Sequence, residues 1–258
     1  MATKVYTNTT AKNKKLFMDF NPKILIASFP RSGNNWLCNM VSHMLDYSIA
    51  DGLKSELTNK NGHRIVDLQD ETNLLESLSL PDWSGICKSH RFEIKSDSWI
   101  IYIYRDAREV LASYRELHKL INNTQIISKG DNAFIKKYFP FLIRHWLKAI
   151  MFKLKYPNQI VFVSYKNLHK NPNKCLNRIA KFLGISTSED IFEKAVDACS
   201  FEKMAASPAN EFNNGVRFIR KGKPDGGRGE FNRLTLIQIF IITFAPYLLL
   251  RFFERIQK

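Results

Sequence analysis

The sequence lacks the patterns that mark several common classes of protein. Its four cysteines lie far apart with no C-x-x-C pair, so neither a zinc site nor a disulfide framework is indicated. Reduced thiols in a cytoplasm fit this cysteine pattern best. The first fifteen residues are polar and contain no apolar h-region, so we expect a loose arm over residues 1–20 and no signal peptide.

Acidic residues are also few relative to basic ones. The 258 residues contain 24 Asp and Glu against 39 Lys and Arg, which gives a net charge of +15. This balance suggests an anionic ligand, nucleic acid or an acidic membrane surface, and a generally basic soluble surface is the alternative. With 45% apolar residues the chain can bury a sizeable core, and a single domain over residues 1–258 is the simplest prediction.

A short apolar run from Ile24 precedes a compact turn with Pro30, Arg31 and Gly33, and a stretch with helical spacing follows up to Leu45. A strand, a tight basic loop and a helix N-terminus together direct backbone N–H groups at one point, which suits a phosphate or sulfate. The loop is not a Walker A motif, because that motif requires G-x-x-x-x-G-K-[ST]. An ordinary turn with a chance arginine is the alternative at this point.

Apolar runs predict buried strands over residues 99–104 and 158–164, and residues 84–90 predict a short strand that ends in a polar tip. Helical patterns separate these strands. This order predicts an α/β fold with a central parallel sheet in three α/β/α layers, and a ligand site beyond the carboxyl ends of the strands. Asp106 is placed to cap the helix that follows the 99–104 strand. Residues 118–139 are predicted to form a mobile loop, and 140–156 a helix with Trp146, Leu147, Ile150 and Leu154 on one face.

The stretch 234–250 contains no charged residue and includes Pro246. Its seventeen residues fall short of the ~20 that a spanning helix needs. We therefore favour a packed helical tail over residues 234–258, with a kink or break before Pro246. Peripheral contact with a membrane surface is the alternative.

Five stretches in order resemble the cytosolic-type sulfotransferases, which have a P-loop-like fold and transfer a sulfuryl group from 3′-phosphoadenosine 5′-phosphosulfate (PAPS) to a hydroxyl or amine. Residues 28–36 resemble the family's 5′-phosphosulfate loop, and 88–90 its Lys-Thr-His element. Residues 105–114 resemble its 3′-phosphate motif, 165–184 the segment with an adenine-contacting Tyr, and 220–222 its closing Arg-Lys-Gly loop. From the first to the last, with the strand before the loop and Phe231 included, these elements span residues 24–231, about four fifths of the chain.

The resemblance implies a role for each matching position. The residues implied in nucleotide binding are Arg31, Ser32, Gly33, Asn34, Asn35, Trp36, Arg105, Ser113, Tyr165, Phe201, Arg220, Lys221 and Gly222. His90 is the implied general base, because its pKa suits proton uptake near neutral pH. Lys88 would neutralise the transferring group and Arg31 the leaving oxygen, so no metal is required. His43, His118 and His145 are expected to be structural or surface residues.

The sequence departs from the family at several of these positions. Arg31 stands where the cytosolic family usually has Lys, Asn34 and Asn35 replace Thr-Thr, and the Trp that usually follows Arg-Lys-Gly is missing. An amide side chain can still donate to an oxyanion. The resemblance leaves the acceptor, a small molecule or a glycan, and the oligomeric state open.

Two other functions share some of these features. A nucleotide kinase would have the same fold class, but the missing Gly-Lys-Thr counts against it. A basic nucleic-acid-binding protein would explain the charge of +15 and would show a strong salt dependence of binding. We expect no nucleic-acid partner, because the five ordered motifs favour the sulfotransferase.

Overall fold

The computed structural model describes residues 23–45, 86–90, 98–120, 127–206, 211–212, 216–217 and 231–257. The strands in these ranges are β1 (Lys23–Ala27), β2 (Ile86–Ser89), β3 (Ser98–Tyr104), β4 (Ile160–Ser164), β5 (Glu211–Phe212) and β6 (Val216–Arg217). The helices are α1 (Asn34–Leu45), α2 (Ala107–Leu120), α3 (Gly130–Lys155), α4 (Tyr165–Lys170), α5 (Pro172–Phe182), α6 (Glu189–Ala198), α7 (Phe201–Ala206) and α8 (Arg233–Ile256). The predicted arm over 1–20 and the loop with Arg220, Lys221 and Gly222 lie outside the described residues.

Four strands form a parallel sheet in the order β2-β1-β3-β4. In its register, Ile26 of β1 lies opposite Lys88 on one side and Ile101 on the other. β5 and β6 form a separate antiparallel pair. The predicted α/β fold with a central parallel sheet is therefore confirmed, and each predicted strand lies at its expected place.

The alternation of side chains along β3 divides the core into two. Ile101 and Ile103 pack with α1, α5 and α6 on one face of the sheet. Tyr102 and Tyr104 pack with α2, α3 and α8 on the other. Because successive strand residues point to opposite faces, this short sequence supports a helical layer on each side of the sheet.

The prediction of a loop over 118–139 is wrong in its second half, because α3 begins at Gly130 and continues through Pro140. Packing against α2 explains the difference. Phe134 is fully buried, and Arg115 of α2 forms an ion pair with Asp131 at 2.5 Å. These tertiary contacts stabilise a helix where the local hydrophobic pattern is weak.

The predicted buried face of α3 is also only half right. Trp146 and Ile150 are buried, as expected, but Leu147 and Leu154 are exposed. The prediction placed all four on one face because they are all apolar. In the structure the outer side of α3 also carries large apolar side chains, among lysines and an arginine.

Helix α8 runs unbroken through Pro246, so the predicted break is absent. The hydroxyl of Thr243 donates to the carbonyl of Ile239 at 2.7 Å inside this helix. One side of α8 packs on the sheet layer through Ile239 and Leu250, and most of the rest is exposed. Within the part of the chain described here, α8 alone is long and apolar enough to cross a membrane, judged by length and composition.

The C-terminal end of α8 supplies hydrogen bonds to the outer edge of β4. Glu254 accepts from the backbone N–H of Ser164 at 2.8 Å and from the hydroxyl of Tyr104 at 2.6 Å. Gln257 accepts from the N–H of Phe162 at 2.8 Å. Burial raises the pKa of Tyr104, and the neighbouring Glu254 carboxylate raises it further, so the phenol remains a donor.

Candidate active site at the carboxyl edge of the sheet

Four strand ends meet at one edge of the sheet. The loop with Arg31 follows β1, His90 follows β2, Arg105 follows β3 and Tyr165 follows β4. Because the strands are parallel and adjacent, their carboxyl ends lie side by side. The structure thus brings together the residues that the sequence assigned to this edge.

The loop after β1 holds two residues in the left-handed region, Arg31 at φ 69° and Gly33 at φ 101°. A Cβ atom at position 33 would lie 2.5 Å from Cδ2 of Tyr165, so only glycine fits there. The carbonyl of Gly33 accepts the first hydrogen bond of α1, from Leu37, at 3.1 Å. The left-handed backbone conformation of Arg31 costs about 1 kcal/mol of conformational free energy, and such strain is frequent at ligand-binding loops.

Arg31 and Ser113, assigned to the two ends of the nucleotide, are in direct contact. Nε of Arg31 donates to Oγ of Ser113 at 3.1 Å, across 82 residues of sequence. Both side chains are half-buried. The contact joins the loop after β1 to helix α2, and it places the guanidinium between the two regions predicted to bind phosphate.

Lys88 lies on β2 with its side chain directed at the same loop. The residue is 4% exposed, and Nζ donates to Oδ1 of Asn35 at 3.0 Å. The amide of Asn34 instead points inward, where Nδ2 donates to the carbonyl of Ile26 at 3.3 Å and Oδ1 accepts from Cys38. The side-chain amide of Asn34 therefore points away from the predicted oxyanion site, so the prediction that this residue binds the donor rests on its backbone N–H.

Nδ1 of His90 lies 3.2 Å from the carbonyl oxygen of Ser28. A carbonyl only accepts hydrogen bonds, so the proton is assigned to Nδ1, and the basic lone pair of the neutral ring lies on Nε2. This tautomer is the one that a base acting through Nε2 requires.

His145 of α3 lies beside His90 and is structural, as expected. Its Nδ1 is 2.6 Å from the hydroxyl of Tyr102. Burial, together with the positive charge that His90 can carry, lowers the pKa of His145 to about 3. No pattern in the sequence indicates that these two histidines are neighbours.

Arg105 has two partners at the end of β3. Its Nε donates to Oε2 of Glu109 at 2.7 Å, and its guanidinium lies 4.3 Å from the ring centroid of Tyr165. Glu109, which is buried, was missed in the sequence, although its spacing four residues after Arg105 is that of a helical ion pair. Glu109 therefore orients the predicted phosphate-binding arginine before any ligand arrives.

Trp36 lies against Tyr165, with ring centroids 5.8 Å apart. Its indole N–H donates to the carbonyl of Cys199 at 2.8 Å, which draws the chain before α7 to this edge. Phe201, the first residue of α7, is 40% exposed. The aromatic residues assigned to the adenine therefore come from three elements that border the same edge.

The composition of the edge fits an anionic ligand with two separated phosphates. Arg31, Lys88 and Arg105 supply cations, and the hydroxyls of Ser28 and Ser32 are buried with no hydrogen-bond partner in the described part of the chain. Buried unpartnered hydroxyls beside a loop of backbone N–H groups are suited to ligand oxygens. A neighbouring cavity of about 270 Å³ shares Arg105 and Tyr165 and continues to α8.

Comparisons with known proteins agree with the fold. Cytosolic sulfotransferase 16 of Arabidopsis thaliana is 26% identical over 216 residues, which are 72% of this chain and 62% of that protein. Flavonol 4′-sulfotransferase of Flaveria chlorifolia is 22% identical over 219 residues, 76% of this chain and 67% of that protein. Retinol dehydratase, solved with androsterone and the inactive cofactor PAP, superposes with a TM-score of 0.66 at 20% identity, covering 92% of this chain and 84% of that one.

The sulfotransferase domain model matches residues 21–238, which is most of the chain. The chain therefore belongs to the sulfotransferase domain family. It spans less than two thirds of the length of the Arabidopsis relative.

Proposed function

We propose that the protein is a PAPS-dependent sulfotransferase acting on a small-molecule hydroxyl. The observation that carries the proposal is the meeting of Arg31, Lys88 and His90 around one phosphate-type loop in a sulfotransferase domain. When bound, PAPS supplies the sulfuryl group for in-line transfer to the acceptor oxygen.

The chain's own residues would bind the donor at two places. Backbone N–H groups of residues 32–36 hold the 5′-phosphosulfate at the N-terminus of α1. Ser113 and Arg105, oriented by Glu109, hold the 3′-phosphate together with Arg220, Lys221 and Gly222. The aromatic rings of Trp36, Phe201 and Tyr165 would hold the adenine.

The reaction itself would depend on three side chains. Nε2 of His90 takes the proton of the acceptor hydroxyl, while Nδ1 stays bonded to Ser28. Lys88, in a water-poor position, neutralises charge that develops on the transferring group, and Arg31 does so at the leaving oxygen. Arg31 carries no readily lost proton, so it acts through its charge.

A small-molecule acceptor is supported by the names of the relatives, which include a flavonol sulfotransferase. Their description as cytosolic supports a cytoplasmic location. An acceptor screen with labelled donor, using phenols, flavonols and hydroxysteroids, would identify the chemical class.

A thermal-shift experiment tests the donor site. We expect adenosine 3′,5′-bisphosphate to raise Tm, because a hundredfold excess over Kd stabilises the fold by about 2.7 kcal/mol. ATP with magnesium should have a much smaller effect. No shift with millimolar bisphosphate would refute the proposal, and a larger shift with ATP and magnesium would favour a kinase.

His90→Ala tests the base. We expect the variant to keep the bisphosphate shift while transfer falls about a hundredfold to ten-thousandfold. His43→Ala, at an exposed position of α1, is the matched control and should transfer normally. Near-normal turnover by His90→Ala would show that His90 is not the general base.

A further inference from the structure

Exposed large apolar side chains are concentrated on two helices. Of the fifteen such side chains in the described residues, ten belong to α8 and four to α3. Those of α8 are Leu234, Ile237, Phe240, Ile241, Ile242, Phe244, Leu248, Leu249, Phe252 and Ile256. Those of α3 are Phe141, Leu147, Met151 and Leu154. Fourteen exposed large apolar side chains on two helices indicate an interaction surface.

The two helices expose this patch on the same side of the molecule. They lie in one layer, where Trp146 of α3 contacts Tyr247 of α8 at 5.9 Å between ring centroids. Their inner sides, with Trp146 and Ile150 on α3 and Leu250 on α8, are buried against the sheet. Their outer sides therefore form one apolar face, which we call the α3–α8 face. Phe240, Phe244 and Leu248 of α8 also line the cavity beside Arg105.

Helix α8 cannot span a membrane while it keeps its contacts with the domain. Glu254 and Gln257 hold its C-terminal end to the edge of β4, and Ile239, Thr243 and Leu250 are buried along its length. With 24 residues it is about 36 Å long. A helix held in this way can enter a bilayer only sideways, with its axis parallel to the surface.

The charges of the α3–α8 face have one sign. Helix α3 contains six Lys and Arg and one acidic residue, Asp131, which pairs with Arg115. Helix α8 contains three arginines and one acidic residue, the buried Glu254. Arg144, Lys148 and Lys155 are exposed and alternate along α3 with the exposed apolar side chains.

This charge pattern distinguishes between two occupants of the face. A second copy of the chain would place like charges opposite each other, which is unfavourable. An anionic lipid surface offers acyl chains for the apolar residues and negative headgroups for the lysines and arginines around them. We propose that the α3–α8 face docks the protein on anionic membrane surfaces, with α8 lying in the interfacial plane.

Vesicle flotation with purified protein tests the electrostatic part. We expect flotation with vesicles of phosphatidylcholine and phosphatidylserine, little with phosphatidylcholine alone, and a decrease as salt increases. K148E/K155E should weaken binding about thirtyfold or more, since each of the two basic residues near the surface contributes about 1 kcal/mol. K174E/K181E, on exposed positions of α5, has the same charge change and should bind normally.

The variant M151Q/I241Q tests the apolar part without changing charge. Both residues are more than 60% exposed, so the variant should fold and keep the wild-type Tm and bisphosphate shift. We expect it to float poorly with the anionic vesicles. Bound wild-type protein should be released by alkaline carbonate, as a peripheral protein is.

Four results would overturn the proposal. They are an absence of flotation with anionic vesicles, equal losses in K148E/K155E and K174E/K181E, retention after carbonate, and a lipid-free dimer that M151Q/I241Q dissociates. The last result would assign the face to a second copy of the chain. None of them bears on the donor site, which the bisphosphate shift reports separately.

Discussion

The two faces of the central sheet are built in opposite ways. On one face, covered by α1, α5 and α6, the core is mainly aliphatic, and we call it the aliphatic face. The exposed positions of α5 and α6 are polar. On the other face, covered by α2, α3 and α8, the core is rich in aromatic residues, and we call it the aromatic face. Large apolar side chains also lie on the solvent side of α3 and α8. The second layer therefore has large apolar side chains on both sides, and those on its outer side lie among lysines and arginines.

Buried polar contacts explain how that second layer is held in place. Tyr102 is bonded to His145, and Tyr104 to Glu254, in the middle of the aromatic core. Hydrophobic burial alone does not distinguish the inner side of α8 from its outer side, because both are apolar. Directional hydrogen bonds do, since each is satisfied in only one orientation of the helix.

The largest effect is expected from Glu254→Ala. The change leaves the hydroxyl of Tyr104, the N–H of Ser164 and the guanidinium of Arg178 without their carboxylate. Removing one partner of a buried polar cluster costs about 3–5 kcal/mol, which urea unfolding would measure. Glu254→Gln keeps an acceptor and should lose much less. Equal losses in the two variants would show that packing, not hydrogen bonding, orients α8.

Gly33→Ala tests the tightest point of the aliphatic face. The added methyl group meets the ring of Tyr165, and the left-handed backbone disfavours any side chain. We expect a loss of about 2–4 kcal/mol in unfolding free energy and a weaker bisphosphate shift. Gly184→Ala is the control, because its φ is also positive while a Cβ there has open space. If both variants lose equally, the contact with Tyr165 is unimportant.

Acid should lower the unfolding free energy of the protein through His145, which is buried in the aromatic face. His145 stays neutral in the fold down to a pKa of about 3, whereas the unfolded chain takes up a proton below about pH 6.5. Unfolding free energy therefore falls as pH falls below 6.5, by up to about 1.4 kcal/mol per pH unit, or about 2 kcal/mol by pH 5. Burial and the nearby Lys137 also lower the pKa of His118.

The difference between wild type and His145→Gln isolates this contribution. Urea midpoints from pH 5 to pH 8 should show a shallower acid slope in the variant. Parallel slopes would mean that the protonation of His145 does not limit the acid stability of the fold.

The smallest effects compare neighbouring residues of β3. Tyr102→Phe removes the hydroxyl bonded to His145 and should cost about 1–2 kcal/mol, because a buried ring nitrogen loses its hydrogen-bond partner. Ile103→Val, on the opposite face, removes one methylene and should cost about 1 kcal/mol. A loss in Ile103→Val that clearly exceeds that of Tyr102→Phe would contradict the view that hydrogen bonds organise the aromatic face.

The sheet and the edge that carries the site could be predicted because each depends on local pattern. Continuous apolar runs predicted β1, β3 and β4, and residues 84–90 predicted the short strand β2. The residues directly after these strands were expected to meet at one edge. Asp106 caps α2 as predicted, accepting from the N–H of Arg108 at 2.9 Å. These features can be predicted from residues that are close in sequence and from the general geometry of parallel strands.

The features that the sequence did not reveal depend on distant contacts. The start of α3 is stabilised by packing on α2, so its weak periodicity was misread as a loop. The inward turn of Asn34 follows from a carbonyl on β1, and the nearness of His145 to His90 follows from where α3 crosses the sheet. None of these contacts has a signature in the sequence around the residues concerned.

The hydrogen bonds between α8 and β4 also affect how the chain is made. β4 ends at Ser164, while the side chains that cover its outer edge, Glu254 and Gln257, are translated about 90 residues later. Until those residues leave the ribosome, the nascent sheet presents open N–H groups to any other extended chain. The time during synthesis in which the edge of β4 is uncovered therefore depends on the number of residues between this strand and the helix that covers it.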